Sequence, residues 1–190
     1  MLSTLCHSAQ AQPTKVPRIG YLLVPSLAAN ASRVEALRQG LRELGYIEDK
    51  NIFIEWRSAE GKVERLPELA AELVQHKVDI IVSAGPTATR AAKEATAHIP
   101  IVMAQDTDPV GNGFIASLAR PGGNVTGLSL LAPEIGGKQI ELLKEVVPRL
   151  SQVATIGEPG NPGYTQQHKE LDQVAAAFKV RLQNLEVRDP

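Results

Sequence analysis

Two carboxylates, Asp106 and Asp108, follow the apolar run 99–103. With Gln105 they head a segment crowded with Gly, Pro and Asn, "AQDTDPVGNGFIASLARPGGNVTG". A second polar set, Ser83, Gly85 and Thr87 in "SAGPTATRAAKEA", follows another apolar run, "VDIIV". Pro25 and Ser26 follow "VPRIGYLLV", and Asn161 and Tyr164 come shortly after "VATI". Each set sits where a strand should give way to a turn or a helix. The chemistry on offer is recognition. The unpaired N–H groups and partial positive charge of a helix starting near 85–87 suit a carboxylate, and Thr87 adds a hydroxyl. Two acids beside the same crevice suit an ammonium group. Each set also has a plainer reading. Ser83 to Thr87 make an ordinary strand-to-helix turn, and Asp106 and Asp108 are good turn formers and caps. The residues alone leave both readings open.

Bond-making machinery is not visible. The first strand leads into "PSLAAN" rather than a G-x-G-x-x-G, and Gly122-Gly123-Asn124 lacks the lysine and spacing of a P-loop. No G-x-S-x-G elbow occurs. His7, His76, His98 and His168 fall on separate expected elements without ligand spacing, and none is placed to partner an acid. The lone Cys6 builds neither a disulfide framework nor a thiolate site. No catalytic residue, metal or cofactor is expected.

The elements that must position these groups follow from hydrophobic period. Residues 16–24 read as a strand buried on both faces. A helix follows with Val34, Leu37, Leu41 and Leu44 on one stripe and Gly45 at its C-terminal cap. Strands are expected at 51–56, 78–82, 99–103, 125–128, 153–156 and 180–187. Between them lie a helix from near Glu64, with Pro67 in its first turn and Leu66, Leu69, Ala70, Leu73 and Val74 aligned, and the Ala-rich helix after Pro86. Two more carry Ile140, Leu143 and Val147, and Leu171, Val174, Ala175 and Phe178. This strand–helix alternation is the pattern of an α/β fold, a doubly wound parallel sheet with right-handed crossovers. In such sheets ligands bind outside the carboxyl ends of the strands, where the four polar sets lie.

The 190 residues carry a net charge of −1, so no basic stripe points to nucleic acid, and no apolar run is long enough to span a bilayer. The first 14 residues begin with a short apolar part and end in small and polar residues. Ala9-Gln10-Ala11 fits an A-x-A cleavage site without a basic n-region ahead of it, so this stretch is expected to be a signal-peptide remnant or a disordered terminus.

The segments "ALRQGLRELGYIEDKNIFIEWRSAEGKVERLPELAAELV", "DIIVSAGPTATRAAKEAT" and "IPIVMAQDTDPVGNGFIASLARPGGNVTG" resemble the ABC-transporter substrate-binding proteins of the TrpX-like family; "DPVGNG" and "RPGGNVTG" are its specific parts. The resemblance runs from about Arg18 to Pro190. It implies a type I periplasmic-binding-protein-like architecture, in which two α/β lobes close on a small solute, aromatic amino acids among them. It also implies an importer's permease and ATPase as partners and a periplasmic or extracytoplasmic location. On this basis the first lobe spans 15–129, with a hinge near 126–132. Residues 130–190 form the hinge and the start of an incomplete second lobe. The implied ligand-binding set is Ser26, Ser83, Gly85, Thr87, Gln105, Asp106 and Asp108 from the first lobe, facing Asn161 and Tyr164 from the second. Two other classes fit the alternation alone: a ligand-sensing domain of a regulator, and a doubly wound enzyme without recognisable motifs.

Overall fold

Strand β1 (Arg18–Leu23) is apolar after Arg18 and lies between two other strands of a sheet, so its last four residues are buried. The computed structural model describes residues 15–130, 132–157 and 164–187. Within them α1 (Ala31–Glu43) leads to β2 (Phe53–Ser58), and a 3-10 turn, Val63–Arg65, leads to α2 (Leu66–Gln75). Next come β3 (Ile80–Ala84), α3 (Pro86–Ala95), β4 (Ile101–Asp106) and β5 (Val125–Ser129). All pairings are parallel, in the order β2-β1-β3-β4-β5. The α/β doubly wound architecture expected from the sequence is therefore present.

The core is built on one face of this sheet. Leu22, Ile81, Ile101 and Met103 point to α2 and α3, where Leu66, Leu73, Ala88 and Ala92 complete a cluster with almost no exposed surface. The small side chains of α3 let it lie close to the strands. Gly20 has a similar cause, because a Cβ there would come within 2.8 Å of the Leu73 side chain. On the other face α1 contributes only Val34 to the buried set. A cavity of about 640 Å³ remains between α1 and the strands, walled by Tyr21, Leu37, Val82, Val102 and Leu128.

A second sheet pairs β6 (Gln152–Gly157) with β7 (Arg181–Glu186), again parallel. Helices α4 (Ala132–Val146) and α5 (Tyr164–Ala177) accompany it. Ile140, Ala175 and Val180 are its buried residues, with Val153, Leu171 and Phe178 packed around them. Much apolar surface stays open here: Val146 is 79% exposed and Ile156 73%.

Three expectations need correction. Leu44 is not on the buried stripe of α1; it lies past the last helical residue and is 76% exposed, because the chain turns at Gly45 with φ 84°. Helix α2 begins at Leu66 rather than near Glu64, because the chain first makes the 3-10 turn and Pro67 then falls in the first α-helical turn. Strand β4 runs on through Asp106 instead of ending at Met103. A register irregularity between Met103 and Asp106 lets Asp106 pair with Ser129 of β5. The sharp approach at this point requires Gly127, with φ 142°, where a Cβ would stand 2.2 Å from the Met103 carbonyl oxygen.

Candidate ligand crevice

After β1 the chain goes outward to β2 on one side, then returns to place β3 on the other. The carboxyl ends of β1 and β3 are thus the switch point of the sheet, where the connecting loops part and leave a crevice. The loop after β3 leaves the sheet at this edge. Gly85 adopts φ 97°, a conformation costly for a residue with a side chain, while a Cβ there would meet nothing within 4 Å. The backbone, not crowding, calls for glycine. Pro86 then opens α3, where a missing N–H costs nothing. No side chain caps α3 and no acid stands in its first turn. The amides of Thr87 and Ala88 belong to that turn and have no partners further back in the helix, so the positive end of the helix is left uncompensated at the carboxyl edge of the sheet.

Ser83 lies beneath this loop. It is wholly buried, and its hydroxyl is 2.8 Å from that of Thr89. Ser26 sits after β1, and its Oγ accepts from the Ala29 amide at 3.1 Å to form the turn into α1. Gln105 is half-buried and lines the mouth of the α1-side cavity together with Pro25, Ala84, Asn30 and Arg33. Asn30 and Arg33 were missed from the sequence. Asn30 is 4% exposed and its Nδ2 has no partner among the described residues. Its place directly before a helix was the available signal. Burial pushes the Tyr21 phenol above its ordinary pKa, partly offset by the Arg33 charge and the Asn30 side chain.

The two aspartates play different parts. Asp106 has no exposed surface, and its Oδ1 accepts from the Asp108 amide at 3.0 Å and from Asn112 Nδ2 at 2.9 Å. Burial, with the Asp108 charge as a lesser cause, raises its pKa against the pull of these hydrogen bonds and of the Thr107 backbone. Asp108 is half-buried; its Oδ1 accepts from the Gly111 amide at 2.8 Å, and its Oδ2 accepts nothing among the described residues. The loop they shape is pinned at its far end by Lys93 of α3, which donates to the Gly113 and Phe114 carbonyls, and by Phe114 and Ile115 in the core. Asn112 gave no signal in the sequence.

In the second sheet, Tyr164 opens α5 and packs on the carboxyl end of β6. A Cβ on Gly157 would stand 2.4 Å from the Tyr164 ring, which also meets His168 edge-on at 4.2 Å. Asn161 lies outside the described residues, as do the first 14 residues with Cys6 and His7. Among the described residues no three His, Cys, Asp or Glu side chains cluster as a metal site, and no helix is long and apolar enough to cross a membrane.

The model of the family described as "ABC transporter substrate binding protein" matches residues 22–190. The chain belongs to this family. A tyrosine-binding protein from Clostridioides difficile is 34% identical over 119 residues, which is 62% of this chain and 34% of that protein. Among solved structures, a conserved domain protein from Vibrio cholerae superposes with a TM-score of 0.81 at 29% identity over 91% of this chain and 58% of its own. The ABC domain in complex with L-Trp from Streptococcus pneumonia gives 0.79 at 27% identity, over 90% of this chain and 57% of its own. The chain thus spans about a third of the curated relative and under three-fifths of the solved ones. The shared fold is that of type I periplasmic binding proteins. Members of the family are substrate-binding proteins rather than enzymes.

Proposed function

We propose that this chain forms the first lobe, 15–129, and the hinge and part of the second lobe, 130–190, of the solute-binding component of an ABC importer. It works outside the cytoplasm without catalysing a reaction, and it presents a small polar metabolite to a permease driven by an ATPase. The solute is an amino acid. The observation that carries this reading is the uncapped start of α3 at the switch point between β1 and β3. A ligand carboxylate fits the amides of Thr87 and Ala88 and the Thr87 hydroxyl, with Gly85 allowing close approach. The free Oδ2 of Asp108 serves the ammonium group, and the Gln105 amide fixes the orientation. Asn161 and the Tyr164 ring close the site from the second lobe. Ser26, Ser83 and Asp106 shape the first-lobe loops from within. Support for an amino acid comes from the tyrosine-binding relative and the L-Trp complex.

Calorimetric titration of the full-length protein with single amino acids tests the reading. One of them should bind saturably with unit stoichiometry. Thr87→Asp should then weaken binding roughly ten- to hundredfold, since a charge-assisted hydrogen bond contributes about 1.5–3 kcal/mol. The same change should leave the fold as stable or slightly more so, because an acid suits a helix N-terminus. Undiminished affinity in Thr87→Asp would refute the carboxylate anchor.

A further inference from the structure

Asp106 and Asn112 each leave one buried oxygen without a partner, Asp106 Oδ2 and Asn112 Oδ1. The other halves of the same two groups are bonded to each other, Asn112 Nδ2 donating to Asp106 Oδ1 at 2.9 Å. That bond fixes the orientation of the amide: with the amide reversed, two acceptors would meet. Two buried acceptors left over on two groups already joined are matched by one added proton, as in a cyclic acid–amide pair. An ionised carboxylate here would keep a negative charge in a site with no exposed surface. Around it, the neighbouring loop carries Asp108, of the same sign, and β5 contributes the uncharged Ser129. The nearest cation on α3, Lys93, is engaged by the Gly113 and Phe114 carbonyls. No described cation compensates the carboxylate, and an unpaired buried charge is among the costliest arrangements a fold can hold.

We infer that Asp106 is held as a neutral carboxylic acid, its Oδ2–H donating to Asn112 Oδ1 to close a two-bond ring that positions the 107–113 loop. One proton satisfies both orphans. Its raised pKa agrees in direction. The ring stands at a junction, because the Asp106 carbonyl accepts from the Leu130 amide at 2.8 Å just past β5, while its side chain holds the Asp108 amide. It therefore couples the loop at the crevice to the strand that leaves the sheet. Asp106 is a positioning residue, and the inference stands whether or not a solute binds.

The sign of its pH dependence follows. A folded-state pKa above the unfolded value, about 3.9 for an aspartate, gives stability that is full below that value and lost as pH rises through the folded one. The test is a carbon-13 titration of the aspartate side chains of the whole chain, with the Asp106 resonance assigned by its loss in Asp106→Asn. The Asp106 resonance should titrate above every other aspartate observed. Asp106→Asn places an N–H where the acid O–H stood, so it should fold, lack this loss of stability with rising pH, and keep the Gly111 and Asn112 amides protected. Asp106→Ala should lose that protection throughout. Titration of Asp106 with the ordinary aspartates would mean a carboxylate bridged by a buried water and would overturn the inference. So would an Asp106→Asn variant as disrupted as Asp106→Ala.

Discussion

Ser83 Oγ and Thr89 Oγ1 lie 2.8 Å apart with no exposed surface on either residue, and they tie the end of β3 to the first turns of α3. Thr89 spends its own proton on the Gly85 carbonyl at 3.0 Å, so Ser83 is the donor to Thr89. The two ends of the pair are therefore unequal. Ser83→Ala removes one net hydrogen bond, about 1 kcal/mol, whereas Thr89→Val also strands the buried Ser83 hydroxyl, at about 1–3 kcal/mol, while the Gly85 carbonyl keeps the backbone amide of residue 89. Urea unfolding of the two variants should rank Thr89→Val as the less stable. The opposite order would show that the pair does not hold the helix start.

Gly127 and Gly123 should respond very differently to alanine. At Gly127 a Cβ meets the backbone of Met103 at 2.2 Å and the residue has φ 142°, so β4 and β5 would have to separate. The expected loss exceeds the ~1–3 kcal/mol of a single strained residue. At Gly123 a Cβ meets nothing within 4 Å. Thermal melts should show Gly123→Ala close to the parent and Gly127→Ala strongly lowered or insoluble. A near-parent melt for Gly127→Ala would show that the bulge in β4–β5 relaxes easily.

Glu48 accepts from Arg38 Nε at 2.7 Å and from Trp56 Nε1 at 2.8 Å. Burial alone would raise its pKa, but these two bonds outweigh burial and hold it below the ordinary glutamate range. Stability from this group is present above the unfolded value of about 4.3 and is lost as pH falls through the folded one. Trp56 is the sole tryptophan of the chain, so its fluorescence reports the event without competition. Its emission should change as pH falls below about 4.3. The change should be absent in Glu48→Gln, and a transition that persists in that variant would assign it elsewhere.

Hydrogen exchange should separate the two sheets. Strands β1 and β3 are flanked on both sides, and their Leu22 and Ile81 have no exposed surface. Among the described residues, strands β6 and β7 pair only with each other, and neither has a buried residue. Amides of Thr155 and Asn184 should show protection weaker by about 2 kcal/mol or more than those of Leu22 and Ile81. Equal protection in a monomer would show that the second sheet is stable on this much chain.

The α/β class, the alternation and the approximate place of every element came from hydrophobic period. That period is a local property: a run such as "VDIIV" can hide its side chains only between layers, wherever it ends up. The helix start at Pro86 was legible for the same reason, since Gly85 and Pro86 act on their own backbone angles. What the sequence could not decide was direction and partnership. Asp106 and Asp108 are two residues apart and chemically alike, yet one is sealed beneath the loop and the other is half-buried with its Oδ1 on the Gly111 amide. The separation arises because β4 runs three residues further than its apolar stretch, drawn on by pairing with Ser129, a residue far along the chain. Asn112 became the partner of Asp106 only when the loop closed, and Ser83 turned inward only because α3 brought Thr89 over it. Burial and hydrogen-bond partnership are set by residues distant in sequence, so only the folded chain could settle them.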